Sequence, residues 1–262
     1  MSDAKHSPGT FSWFECGSRD AAAAGTFYTR LFGWTAEDRP LPGDMPGHYT
    51  MLRLDGEDVA GLYQLAGPMA EVPPHWATYV TVANVDDTVS KAESLGGKVG
   101  APPMDVPGVG RIAFLQDPTG AMIALFQPGE HRGSGKQGKI PGAFCWSELA
   151  THDTAAAGEF YGKLFGWTRK TDTGTPPYTE FQIDGRSIAG MMPLTPKHGD
   201  APPHWLPYVT VADCEASATK VKELGGKVIV PPTDVPEVGT FSVFFDPGGA
   251  GLAIIEFAEG AA

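Results

Sequence analysis

Two carboxylates stand beside aromatic residues in a spacing that could do chemistry. Glu15 follows Trp13 by two residues in the alternating run Phe11 to Cys16, so Phe11, Trp13 and Glu15 share one face of a strand. Trp146 and Glu148 repeat the arrangement. An indole beside a carboxylate in a cavity suits a flat or cationic ligand. It also suits a general base of raised pKa. The plainer alternative is an indole that fills space and a Glu15 carboxylate paired with an arginine. His75 and His204 each follow a Pro-Pro pair and open a strand, which puts them at a rim. An imidazole there serves ligand contact or proton transfer near neutral pH, or simply faces solvent. Tyr79 and Tyr208 share the face of those histidines and offer phenols to a ligand.

The elements that must position these residues come in two copies. Phe11-Ser-Trp13-Phe-Glu15 returns as Phe144-Cys-Trp146-Ser-Glu148, and Leu31-Phe-Gly-Trp34 as Leu164-Phe-Gly-Trp167. The offset is 133 residues (Trp34 to Trp167) and falls to 129 by Asp55-Gly56, which returns as Asp184-Gly185. Pro73-Pro-His75-Trp76, Leu95-Gly-Gly and Asp117-Pro118 return as Pro202-Pro-His204-Trp205, Leu224-Gly-Gly and Asp246-Pro247. So many ordered matches mark an internal duplication. The expected organisation is a first domain over 1–127, a linker over 128–141 and a second domain over 142–262. Within each copy the pattern strand, helix, strands occurs twice. Asp20 is a candidate N-cap for a helix over Ala21 to Phe32 that Gly33 stops, and a second helix over Asp86 to Leu95 closes on Gly96-Gly97. Strands are expected near Tyr49 to Leu54, Val59 to Leu65, Trp76 to Ala83, Lys98-Val99, Arg111 to Gln116 and Met122 to Gln127. Trp76 and Trp205 should face the helices. Arg111 has Thr240 as its counterpart and Met51 has Glu180, so two cavities built from these copies would differ chemically.

Composition narrows the partners. The chain has 262 residues, 42% hydrophobic, with a formal net charge of -12. An acidic surface repels nucleic acid and anionic membranes, which leaves a small-molecule ligand as the expected partner. No apolar run is long enough to span a bilayer, and the polar start of the chain lacks a signal-peptide pattern. Cys16, Cys145 and Cys214 fit no metal spacing and read as free thiols in a reducing compartment, so a cytoplasmic location is expected. His6, His131 and His198 sit in polar stretches and read as solvent-exposed. The glycine pairs close helices rather than open them, and no Gly-x-Ser-x-Gly elbow occurs, which removes the dinucleotide fingerprint and the hydrolase elbow.

The stretch Asp20…Phe27-Tyr28…Leu31-Phe-Gly-Trp34, with Leu95-Gly-Gly and Asp117-Pro-Thr-Gly120, resembles the signatures of the vicinal oxygen chelate superfamily. This is the glyoxalase/bleomycin-resistance/dioxygenase group, and the tandem form is similar to a two-domain actinobacterial subgroup of glyoxalase-like and hydroxylase-like proteins. The resemblance implies an α+β fold of four βαβββ modules that form two open glyoxalase-like barrels, in a monomer with two barrels or a homodimer. Metal-dependent members hold a divalent ion on the cavity strands. Carried over by position, their ligand places fall on Trp13, Ala60, Ala77, Ala124, Trp146, Ala189, Leu206 and Ala253. None of these side chains has a lone pair for a cation. The expectation is therefore no metal and no cofactor, with Trp13, Tyr79, Arg111, Phe126, Trp146, Glu180 and Tyr208 as ligand contacts. Core packing is the plainer role of Phe126. A two-residue slip in register would keep the same strand face and substitute a His/Glu set. The alternative is thus a glyoxalase-like lyase or isomerase, or a hydroxylase-type enzyme. It would use a shifted metal site or acid–base chemistry by Glu15, His75, Glu148 and His204.

Overall fold

The computed structural model describes residues 6–41 and 47–260. The first copy runs β1 (Phe11–Ser18), α1 (Ala21–Phe32), β2 (Thr35–Pro40), β3 (His48–Leu54), β4 (Glu57–Gln64), then β5 (His75–Thr81), α2 (Val85–Ser94), β6 (Lys98–Val106), β7 (Gly110–Gln116) and β8 (Met122–Pro128). The second copy runs β9 (Phe144–Thr151), α3 (Thr154–Phe165), β10 (Thr168–Thr171), β11 (Thr179–Ile183), β12 (Arg186–Pro193), β13 (His204–Thr210), α4 (Cys214–Glu223), β14 (Lys227–Val235), β15 (Gly239–Phe245) and β16 (Gly251–Phe257). The fold is α+β, with βαβββ modules and two open, curled eight-stranded sheets. One has the order β2-β3-β4-β1-β5-β8-β7-β6 and the other β10-β11-β12-β9-β13-β16-β15-β14. Within a module the first strand pairs in parallel with the last, as β1 with β4 and β5 with β8, and the remaining pairs are antiparallel.

Local chemistry explains the boundaries. The Asp20 carboxylate accepts the Ala23 N–H at 2.9 Å and opens α1, and Gly33, at φ 74°, closes it in the left-handed conformation that glycine adopts without strain. Asp153 and Gly166 do the same for α3. Two elements differ from the sequence reading. β2 is almost wholly exposed, so its sequence Thr-Ala-Glu-Asp-Arg-Pro carries no alternation to read. β6 is nine residues long, not two. It is an edge strand with register shifts around Ala101, and Pro102 and Pro103 fall in the irregular stretch that pairs with no residue of β7, a place where an edge tolerates proline.

The sheets follow the copies, but the compact units draw on both copies. One unit, the middle-module unit, comprises residues up to Trp13, Ala77–Gly133 and Trp146–Leu206. The other, the end-module unit, comprises Phe14–Trp76, Ser134–Cys145 and Pro207–Ala262. Each has the same buried polar relay at its heart. In the end-module unit Trp76 Nε1 donates to the Tyr28 hydroxyl (2.8 Å), which donates to Asp246 Oδ2 (2.9 Å). In the middle-module unit Trp205 Nε1 donates to Tyr161 (2.8 Å), which donates to Asp117 Oδ2 (2.9 Å). Asp117 and Asp246 are nearly fully buried and also accept backbone N–H groups of their own turns, for example those of Ala121 and Ala250. Burial, and then neighbouring negative charge, holds both tyrosine hydroxyls well above the usual phenol range, so they stay protonated donors. Lys220 and Lys91 donate to Leu31 O and Leu164 O at the C-terminal ends of α1 and α3, where a cation meets the negative end of the helix. Among the described residues no helix is long and apolar enough to cross a membrane.

Candidate functional site

In the end-module unit, strand register gathers a polar aromatic cluster. β1 aligns Glu15 with Gly61 and Gly17 with Tyr63, and β3 aligns Met51 with Gly61 and Tyr49 with Tyr63. These residues share one face, opposite the one on which Cys16 and Leu62 are buried. Gly61 is required there, since a Cβ would overlap the Tyr49 ring that crosses the strand. The Tyr49 hydroxyl donates to Glu15 Oε1 at 2.7 Å. On the next residue pair, the Tyr63 hydroxyl lies 3.3 Å from His75 Nε2. His75 Nδ1 is 2.8 Å from Pro73 O. A carbonyl only accepts, so in the neutral ring Nδ1 carries the proton and Nε2 accepts from Tyr63. A Cβ on Gly17 would stand 2.8 Å from the Tyr63 hydroxyl and 3.0 Å from His75 Cε1, so the second glycine clears room for this pair. Burial first, then the Glu15 charge, raises the Tyr63 pKa and keeps the phenol protonated.

The middle-module unit holds the counterpart. Glu148 and Glu180 both align with Gly190, over which the Tyr178 ring lies. Trp146 Nε1 donates to the Tyr178 hydroxyl at 3.0 Å, and Tyr178 hydrogen-bonds Glu148. Burial and the Glu148 charge hold the Tyr178 pKa far above its ordinary value. Glu180 accepts from Ser187 Oγ and lies 3.9 Å from Lys170 Nζ. His204 is anchored as His75 is, with Nδ1 2.8 Å from Pro202 O, but Met192 stands where the first copy has Tyr63.

The structure thus brings Glu15 and His75 to one face, and Trp146, Glu148 and Glu180 to another. Trp13 is buried in packing within its own unit. That indole is 6% exposed and meets the His131 ring edge-on at 4.6 Å, and the Phe126 ring lies 6.1 Å from that of His131. His131, expected in solvent, is a half-buried part of this packing. Tyr79 and Tyr208 are buried against Phe114 and Phe241. Arg111 does not join the proposed contacts. β7 pairs Ile112 with Phe126 and Phe114 with Ala124, so Arg111 alternates to the other face. There it makes a two-pronged bond to Asp86 (2.7 and 2.8 Å) and an ion pair with Asp105 (3.0 Å). Ala60, placed by the family pattern on the ligand face, pairs with Leu52, and both are fully buried; Gly61 takes the place beside Glu15.

Tyr49, Tyr63 and Tyr178 were not read from the sequence. The signal was present in Ala60-Gly61 and Ala189-Gly190, glycines that recur inside strands and so mark a close approach. Tyr49 and Tyr178 stand at the same offset of 129.

Comparison with known proteins places the chain. The family model for the glyoxalase/bleomycin resistance protein/dioxygenase superfamily matches residues 10–125 and 144–254. The chain belongs to this superfamily. A superfamily relative from Mycobacterium bovis, named putative glyoxylase CFP32, is 36% identical over 251 residues, covering 95% of each chain. The anthracycline biosynthesis protein DnrV of Streptomyces peucetius is 36% identical over 270 residues, covering 98% of this chain and 96% of the relative. Solved structures share the superfamily fold at low identity. The Mn(II)-bound glyoxalase from Novosphingobium aromaticivorans has a TM-score of 0.63 at 16% identity, covering 95% of this chain and 82% of that one. The 2,3-dioxygenase LapB from Pseudomonas sp. KL28 has a TM-score of 0.66 at 11% identity, covering 96% of this chain and 93% of that one.

Proposed function

We propose that this protein binds a small aromatic molecule at its two tyrosine–glutamate clusters, without a resident metal ion. The carrying observation is the tyrosine laid over a strand glycine in each copy, its hydroxyl on the first-strand glutamate. Tyr49, Tyr63, Trp146 and Tyr178 are half-buried, so each cluster offers ring surface next to polar tips. Such a surface receives a flat ligand by stacking and orients it by hydrogen bonds. The name of the Streptomyces relative, which ties it to anthracycline biosynthesis, supports a polycyclic aromatic as the ligand class.

The donor set argues against a resident ion. Glu15 and Glu148 are each engaged by a tyrosine hydroxyl, and a protein-held divalent ion of this superfamily's kind needs several hard or borderline donors converging on one point. Among the described residues His, Cys, Asp and Glu do not gather in threes. The test has two arms. Calorimetry with 1,2-dihydroxyanthraquinone should give saturable binding that also quenches tryptophan fluorescence. Elemental analysis of the purified protein should find no stoichiometric Zn, Ni, Fe or Mn. About one tightly held ion per copy, lost in Glu15→Ala or His75→Ala, would overturn the metal-free reading.

A further inference from the structure

We propose that the first-copy cluster is a proton-transfer site, at which His75 exchanges the proton on the carbon next to the carbonyl of a bound aromatic ketone. This rests on the aromatic-binding reading above and adds an activity to one of its two clusters. Three observations on this chain carry it. The Pro73 carbonyl holds Nδ1–H at 2.8 Å, which fixes the tautomer and leaves the basic lone pair on Nε2. Nε2 points at the Tyr63 hydroxyl across 3.3 Å, a long hydrogen bond that a ligand can displace. The space between the two is kept by Gly17, where any side chain would press on both groups.

The step balances without an oxidant or a further reactant. His75 Nε2 takes the proton from the carbon beside the carbonyl. The C–H electron pair becomes the C=C bond of an enolate as the carbonyl π pair moves onto oxygen. The Tyr63 hydroxyl, released from Nε2, turns to donate a hydrogen bond to that oxygen, and its raised pKa keeps it a donor rather than an anion. The imidazolium then returns a proton to the same carbon, giving exchange or epimerisation. Return to a conjugated carbon gives an isomer. Glu15, itself held by Tyr49, lies on the same face. The second copy has the anchored His204 but Met192 in place of Tyr63, so it has no phenol at that position to hold the developing oxyanion.

The test uses the full chain and 2-tetralone, an aromatic ketone with an acidic C–H beside its carbonyl. Proton NMR in D2O follows loss of that C–H signal, and calorimetry measures 2-tetralone binding in the same samples. The wild type should accelerate exchange over buffer. His75→Gln should reduce the enzymatic rate by at least about 100-fold, the usual scale of a positioned base, with binding retained. Tyr63→Phe should reduce it by about tenfold or more. Unfolding midpoints of both variants should stay near the wild type, which separates chemistry from misfolding. Binding without exchange, or exchange that survives His75→Gln, overturns the proton-transfer site and leaves the binding reading intact. No binding of 2-tetralone or of the anthraquinone overturns both.

Discussion

The two tyrosine–glutamate clusters are one backbone solution with two surroundings. In both, a strand glycine lets a tyrosine lie flat and reach the first-strand glutamate. Around Tyr178 the indole of Trp146 adds a donor, and Met192 replaces the phenol of Tyr63. Around Tyr49 the equivalent Trp13 meets His131 edge-on, and Tyr63 joins His75. The difference teaches that a duplicated frame can keep the part fixed by glycine geometry while residues one register position away diverge.

The largest expected effect separates the two tryptophans. Trp13→Ala should cost about 3 to 5 kcal/mol of stability, the range for truncating a buried aromatic. Trp146→Ala, half-buried, should cost markedly less in a denaturant titration. Equal losses would erase the contrast. Next come the glycines: Gly61→Val and Gly190→Val should each destabilise by about 1 to 3 kcal/mol through overpacking and remove ligand binding at their own cluster only. If binding survives both, the clusters are not the site.

Smaller differences should appear in the phenols. Tyr178→Phe leaves the Trp146 N–H without its acceptor as well as Glu148 without its donor, so it should cost about 1 to 3 kcal/mol. Tyr49→Phe should cost about 0.5 to 1.5 kcal/mol, the net value of a single hydrogen bond. Double-mutant cycles with Trp146→Phe and Glu15→Gln would check the ordering. On the alkaline side, Tyr28, Tyr63, Tyr161 and Tyr178 all have folded pKa values above the ordinary 10.0. A phenol raised on folding stabilises the native state fully below pH 10, and that contribution is lost as pH climbs from there toward the folded pKa. Absorbance at 295 nm should therefore show these four ionising together with unfolding, not before it.

The sequence made some of this legible and hid the rest for physical reasons. Helix α1 could be read residue for residue because its cap, Asp20, and its stop, Gly33, are local signals. The family ligand places were harder to fix, since β4 turns Ala60 into the core beside Leu52 and sets Gly61 next to Glu15. The Tyr28–Asp246 and Tyr161–Asp117 bonds could not be read, since their partners lie 218 and 44 residues apart and only tertiary packing joins them. Arg111 could not be assigned to a face from sequence, because a single strand gives no phase without its neighbour Phe126 to align it. His131 looked like linker because its composition is linker, and its packing on Trp13 is a contact of side chains, not of pattern.

The central claim is that aromatic ligands bind at these two clusters without help from an ion. Calorimetric titration of 1,2-dihydroxyanthraquinone into chelator-treated wild type, Trp146→Ala and Gly190→Val tests it most directly. The expected result is two sites of unequal affinity in the wild type, unchanged by the chelator. One of them should weaken by about 1 to 3 kcal/mol in Trp146→Ala, the scale of a central aromatic contact, and vanish in Gly190→Val. Binding that disappears with the chelator and returns with Mn(II), or that neither substitution alters, would contradict it.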